Sequence, residues 1–256
     1  MNYPQLERLI EIVATLRSEN GCQWDREQTH QTLRPNMLEE AYEAVDAIDD
    51  NDMKHLREEL GDVLLQVVLH AQIAKDEGDF DIEDVAKELA DKLVHRHPHV
   101  FGNEKVNSTD EILANWDRLK KEEKTHRKSV LDGISKSQSA LMSAQKISKK
   151  AVKVGFEWDS VETLKQCIES EYKEFEEAVK ENDFDHMEDE MGDIFFATVN
   201  YARWYKIDAE QALLKANKKF TKRFKKMEEL ATKPLEEYTF EEFDKLWKEA
   251  KKALHY

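Results

Sequence analysis

The chain has 256 residues, with 55 acidic against 39 basic side chains and a net charge of -16, a balance that works against broad nucleic-acid or anionic-membrane binding. Only seven glycines and four prolines punctuate a sequence rich in Ala, Leu, Glu and Lys, which argues against a sheet and for an all-α fold. Two cysteines, Cys22 and Cys167, supply neither a disulfide framework nor a zinc site; they suit a reducing, cytoplasmic setting and are expected to be buried.

The first predicted helix lies in MNYPQLERLIEIVATLR, where Leu6, Leu9, Ile10, Val13 and Leu16 recur at helical spacing but Glu7, Arg8 and Glu11 interrupt. It reads as a packing helix, neither a signal peptide nor a membrane span. GCQWD follows, Gly21 to Asp25, with a glycine stop and an aspartate start between helices; Trp24 belongs in the core or, alternatively, lines a pocket for a flat ring. The next helix, around Leu38 to Ile48, has apolar Leu38, Ala41, Val45 and Ile48 beside Glu40 and Glu43. A tight polar turn, DDND, joins it to a partner from about Met53 to Ile73 carrying Glu59 and Asp62, and the two make an αα-hairpin. A third helix starts behind Asp81 as N-cap, carries Lys92 and Arg96 on one face and stops near Pro98. At its end HRHPH, His95 to His99, reads as helix-end caps or hydrogen bonds to phosphate rather than a transition-metal site, because it has no second copy. A last helix carries Trp116. Residues 1–120 thus form one domain, 121–140 a charged, Ser-rich linker without apolar period up to Val130, and 141–256 a second domain.

The second domain repeats the first. GFEWD, Gly155 to Asp159, echoes GCQWD at a shift of 134. Glu171, Glu174, Glu190, Gly192, Asp193 and Trp247 stand 131 residues after Glu40, Glu43, Glu59, Gly61, Asp62 and Trp116, and Asp208, Lys219 and Arg223 stand 127 after Asp81, Lys92 and Arg96. Four carboxylates and a glycine returning at one shift mark an internal repeat.

Carboxylates three apart point in a common direction on a helix. Glu171 lies between Ile168 and Phe175 on its face, and Glu190 between Met187 and Ile194, so both border the apolar stripe that packs helix on helix. Four converging carboxylates there repel one another and lose hydration, which a hard, oxygen-seeking cation such as Mg2+ compensates; a solvated acidic surface is the bland alternative. The helical glycine costs about 1 kcal/mol and points to close helix approach. Lys and Arg four apart suit a phosphate or simply a solvated basic stripe. No Gly-x-x-x-x-Gly-Lys loop, dinucleotide fingerprint or Gly-x-Ser-x-Gly elbow is present, so any phosphate chemistry is all-helical.

LEEAYEAVDA with Glu39, Glu40 and Glu43, followed by EELGD with Glu59 and Asp62, resembles the Glu-Glu-x-x-Glu and Glu-x-x-Asp hallmark of the MazG family of nucleoside triphosphate pyrophosphohydrolases. GCQWDREQT, DKLVHRHPHVF, NWDRLKKEE, GFEWD, EMGDIFFATVN and KANKKFTKRF extend the likeness over nearly the whole chain. The resemblance implies Mg2+-dependent hydrolysis of nucleoside triphosphates, ribo and deoxy, to monophosphate and pyrophosphate, in an all-α fold of two tandem MazG-like repeats that forms four-helix-bundle cores on dimerisation. It further implies a working site in the second repeat, with Glu171, Glu174, Glu190 and Asp193 on metal, Glu174 and Glu190 catalytic, Lys219 and Arg223 on phosphates and Trp247 at the substrate pocket. Asn200 shares the face of Asp193 and is a further ligand contact; Glu40, Glu43, Glu59, Asp62, Lys92 and Arg96 are the first repeat's counterparts.

Two departures separate the copies: Ser170 replaces the first Glu of the hallmark, Glu39, and Asn200 answers to Leu69. Rival readings are a substrate-restricted all-α pyrophosphatase, of dUTPase or phosphoribosyl-ATP hydrolase type, and a non-catalytic helical adaptor, chiefly for the first repeat. Phe195, Phe196 and Val199 leave apolar surface that a second copy would cover as a homodimer, or that the other repeat would cover within one chain.

Overall fold

The computed structural model describes residues 3–123 and 128–254. Among them are twelve α-helices, one 3-10 turn and no strand, as composition predicts. Packing divides the chain into two units, Met1–Thr125 and His126–Tyr256. The first holds α1 (Pro4–Arg17), α2 (Gln23–Glu27), α3 (Arg34–Asp49), α4 (Met53–Glu77), α5 (Ile82–Arg96), α6 (Pro98–Phe101) and α7 (Thr109–Glu122). The second holds α8 (Ala140–Val152), α9 (Val161–Glu181), α10 (Phe184–Trp204), α11 (Ala209–Leu230), the 3-10 turn Leu235–Glu237 and α12 (Phe240–Ala253).

Each unit is built on its acidic hairpin, α3 against α4 and α9 against α10, and the same grammar turns both. Asn51 and Asn182, 131 apart, take left-handed backbone (φ 55° and 54°), a conformation asparagine tolerates better than most residues. The next residue in each case is an aspartate N-cap. Asp52 accepts from the backbone N–H of Lys54 and His55, and Asp183 from that of His186, satisfying donors that a helix start leaves open. Asp81 and Asp208 cap α5 and α11 in the same way. Helix α4 has 25 residues and α10 has 21, which is why the shift between copies falls from 131 to 127 at α5 and α11.

In the first unit α1 lies on α4, and Val13, Leu33, Val68, Leu69 and Ile73 form a core joined by Leu9 and Ile10. In the second unit α8 takes the place of α1 against α10, and a separate core of Met227, Leu246 and Ala250 seals α11 to α12.

Several expectations are corrected. The buried residues of α3 are Ala44 and Ala47, while Leu38 and Ile48 are exposed; small side chains let α3 lie close on α4 and its larger ones face outward. A Cβ added to Gly61 or Gly192 would meet nothing within 4 Å, so neither glycine marks close approach inside its unit. Cys22 is exposed and Cys167 half-buried. Trp24 is also exposed. Val199 is buried, whereas Phe195 and Phe196 are exposed as expected. Part of the 121–140 linker, residues 124–127, lies outside the described residues; from Lys128 to Ser139 the chain forms turns that belong to the second unit. No helix among the described residues is long and apolar enough to cross a membrane.

Candidate functional site

The αα-hairpin brings the paired acids of one helix to those of the next. One carboxylate oxygen from each of Glu171, Glu174 and Glu190 lies within 4.8 Å of the others, and Glu40, Glu43 and Glu59 repeat the arrangement. Asp193 and Asp62 stand outside these triads, though the charge of Asp62 acts on Glu40. Burial first, then the neighbouring carboxylates Asp62, Glu43, Glu39 and Glu59, push the Glu40 carboxyl above its ordinary value, the expected result of crowding like charges.

Each cluster has one deep member, Glu59 at 5% and Glu190 at 9% exposure. A histidine one turn earlier holds it. His186 Nε2 donates to Glu190 Oε1 at 3.1 Å and His55 Nε2 to Glu59 Oε1 at 2.8 Å. The other oxygen, Oε2 in both residues, is buried without a hydrogen-bond partner. A buried carboxylate oxygen left unpaired is costly, and two other carboxylates beside it are the donor set that a hard divalent cation takes. The residues present therefore fit such an ion. Around the second cluster, Cys167 Sγ donates to Glu171 Oε1 at 3.4 Å and Ser170 Oγ to Glu174 Oε1 at 3.0 Å. The serine that breaks the acidic hallmark thus steadies a carboxylate. Burial and then Glu171 push the Cys167 thiol up to about 11, which makes it a hydrogen-bond donor and an unreactive thiol.

Behind Glu171 and Asp193 the second unit opens into a cavity of about 670 Å³, with Trp158, Phe156, Phe196, Ile147 and Asn200 among its walls. Asn200 is buried; its Oδ1 accepts from Ser148 Oγ and its Nδ2 donates to the Phe196 carbonyl. Glu157, also on the wall, forms a two-pronged ion pair with Arg203 at 2.6 and 2.7 Å. The guanidinium holds the Glu157 carboxyl below its ordinary value. A pocket of about 20 Å³ in the first unit is lined by Ile10, Val68, Lys75 and Asp81, none of them a member of its carboxylate triad.

The structure brings Glu171, Asp193 and Asn200 onto one cavity and Glu174 and Glu190 into contact range of Glu171. It does not put Lys219, Arg223 or Trp247 among the lining residues. Lys219 and Arg223 ride on α11, where the Arg223 guanidinium lies 5.9 Å from the Trp247 ring centre, and Trp247 packs against Phe220 and the α11–α12 core. The tryptophan on the cavity is Trp158. In the first unit Lys92 pairs with Glu88 and Arg96 with Glu123, which raises the Arg96 pKa. His97 donates to the Leu93 carbonyl, a helix-end cap. Sequence reasoning missed His55 and His186, although they recur at 131; for Trp158, as for Trp24, it favoured the core and kept a pocket for a flat ring as the alternative, and Trp158 lines the cavity.

A MazG nucleotide pyrophosphohydrolase domain matches residues 28–101 and 159–227. The chain is similar to the nucleoside triphosphate pyrophosphohydrolase/pyrophosphatase MazG of Thermotoga maritima, at 46% identity over 96% of this chain and 95% of that one. It is 44% identical to the nucleoside triphosphate pyrophosphohydrolase of Escherichia coli over 97% of both. An uncharacterized Bacillus subtilis protein, YabN, is 48% identical over 98% of this chain and 52% of its own length.

Proposed function

The chain belongs to the MazG nucleotide pyrophosphohydrolase family, and we propose that it hydrolyses nucleoside triphosphates, ribo and deoxy and across bases, to monophosphate and pyrophosphate with Mg2+. One observation carries this reading: an apolar cavity of about 670 Å³ opens on Glu171 and Asp193, beside a triad whose deepest carboxylate, Glu190, has an unpartnered oxygen. The volume suits a nucleoside, and carboxylates beside the cavity would suit a triphosphate carried with a cation. Aromatic and aliphatic walls with few polar groups favour stacking over base-edge reading, hence a broad base range.

Glu171, Glu174, Glu190 and Asp193 would hold Mg2+, which supplies charge neutralisation of the triphosphate and acidifies a water. Glu190 is fixed by His186 and Glu171 by Cys167, so the cluster is oriented before substrate arrives. Glu174, exposed and steadied by Ser170, is our choice for the base that accepts the proton of the attacking water. Lys219 and Arg223 offset charge on the leaving pyrophosphate, and Trp247 backs Arg223; family pattern and recurrence of the Lys-x-x-x-Arg pair support that assignment.

Both hairpins expose apolar residues at matched positions, Ile48 and Val179, Met53 and Phe184, Leu64 and Phe195, which supports a homodimer in which a second copy covers them. A monomer mass by light scattering at micromolar concentration would sink that part.

The deciding experiment is pyrophosphate release from ATP, GTP, CTP, UTP and their deoxy forms, with Mg2+, with Ca2+ and with excess chelator. Release from most of them with Mg2+, weaker with Ca2+ and none in chelator is expected. Turnover of a single nucleotide would hand the protein to the substrate-restricted reading, and full turnover in chelator would end the metal one.

A further inference from the structure

The segment between the acidic units looks, by composition, like a passive tether, yet Leu131 is one of the residues lining the second unit's cavity. Its neighbours show how it is held there. Asp132 Oδ2 accepts from the backbone N–H of Lys128 and Ser129 at 2.8 and 3.0 Å, Ser129 Oγ accepts from Leu131 N–H, and the Asp132 N–H returns to the Ser129 carbonyl. Gly133 then takes positive φ, 79°, where a side chain would be strained. From α8, the Lys150 ammonium donates to the carbonyls of Val130 at 2.8 Å and Asp132 at 2.9 Å. These two carbonyls flank Leu131 in the chain, so one ammonium fixes the backbone on either side of the residue that lines the cavity. Leu131 itself is 41% exposed, with part of its surface on solvent and part on the cavity, as a rim residue should be.

We propose that the Ser129–Asp132 turn, clamped by Lys150, is the outer wall of the substrate cavity and that Leu131 is a substrate-binding residue that packs on the nucleoside whatever its base. This rests on the reading that the nucleoside enters the cavity while the triphosphate stays at the carboxylates. A ligand without a nucleoside should then be indifferent to Leu131.

The test uses the full chain and compares Leu131→Ala, Lys150→Met, Lys150→Arg and Trp158→Ala. For each variant, KM and kcat for ATP and CTP are measured together with the inhibition constant of inorganic tripolyphosphate. Leu131→Ala should raise KM on the order of 5–10-fold with kcat within about twofold, from lost apolar contact, and leave tripolyphosphate inhibition unchanged. Lys150→Met should move KM in the same direction, and Lys150→Arg, which keeps a donor, should recover part of it. A KM that rises in Trp158→Ala but not in Leu131→Ala would leave the nucleoside in the cavity and overturn the turn as its wall. A shift of KM and tripolyphosphate inhibition together would reduce Leu131 to a structural role and overturn the proposal. No change in either Leu131→Ala or Trp158→Ala would remove the cavity reading, and an inactive parent chain the hydrolase reading, each taking this inference with it.

Discussion

The two acidic hairpins are nearly the same object set in different surroundings. Both present three carboxylates within 4.8 Å, a buried glutamate with one unpartnered oxygen, and a histidine on its other oxygen. What lies behind them differs. Where the second unit has Ala151, Ala197 and Asn200 on its cavity wall, the first has Arg17, Gln66 and Leu69 at the positions matched by shifts of 134, 131 and 131. The Arg17 side chain is 8% exposed and reaches Asp76 and two carbonyls of the α2 region, while Gln66 and Leu69 are buried. All three first-unit side chains are larger than their counterparts in the second unit, and in a close-packed core larger side chains leave less room for a cavity. On the proposed reading the two roles are separable in this fold: both units carry the carboxylate triad proposed for a cation, and the cavity proposed for the substrate adjoins that of the second.

The strongest way to break this comparison is to disable each cluster in turn. Glu190→Gln should lower pyrophosphate release on the order of 100-fold or more, because a metal carboxylate is lost where it acts on the transition state. Glu59→Gln should retain most activity, with folding of both checked by circular dichroism. The reverse pattern would move catalysis to the first unit, and equal partial losses would mean two working sites.

A second test exchanges the cavity residue between units. Asn200→Leu should raise KM roughly tenfold, since it removes the cavity's buried amide and leaves the Ser148 hydroxyl without its acceptor. Leu69→Asn should add no activity and destabilise the chain by about 3 kcal/mol, since it buries an amide among Val13, Val68 and Ile73. A Leu69→Asn chain with new nucleotide binding in calorimetry would show that a single residue closes the first cavity.

The histidines sharpen the part the units share. His186→Ala and His55→Ala should each weaken Mn2+ binding to their own cluster by roughly tenfold or less, read by electron paramagnetic resonance, because a carboxylate loses the bond that orients it. An effect from only one of them would mean that the clusters differ in more than their hinterland.

The smallest effect concerns the Glu157–Arg203 pair, which the first unit does not reproduce with the same partners. Arg203 holds the folded-state pKa of Glu157 below the ordinary value of 4.5. The stability it contributes is therefore present above that value and is lost as pH falls through the depressed folded one. Glu157→Gln should cost about 1 kcal/mol near neutrality and flatten the loss of melting temperature below about pH 4.5. An unchanged acid limb would show the pair to be energetically idle.

Much of the fold was legible because local chemistry and global packing agree. The tight DDND turn, the aspartate cap at Asp81 with its echo at Asp208, and the acid pairs at i and i+3 each follow from spacing alone, whereas the caps at Asp52 and Asp183 emerged with the structure. Periodicity fails where a helix has two apolar faces, because it does not say which one a single chain buries; Leu38 and Ile48 look like core and are exposed. Nor does it distinguish a filled core from a hollow one. Trp158, in the loop before α9, shares its cavity with alanines from two helices, Ala151 of α8 and Ala197 of α10, information that is distributed through the chain and visible only when those helices meet. His55 and His186 were overlooked among charged residues at helix starts, where a histidine ordinarily faces solvent.

The four extra residues of α4 have a consequence of their own. They carry a helix through about 400°, one circle and roughly 40° more, and lengthen it by about 6 Å. One residue more or fewer would rotate everything beyond it by about 100°. A whole turn nearly preserves phase. Relative to its hairpin, α11 with Lys219 and Arg223 accordingly joins about 6 Å sooner than α5 does with Lys92 and Arg96. The duplicated architecture can thus be lengthened or shortened only in steps of one turn, a coarse gearing that changes the reach of the basic helix while leaving the carboxylate grip as it was.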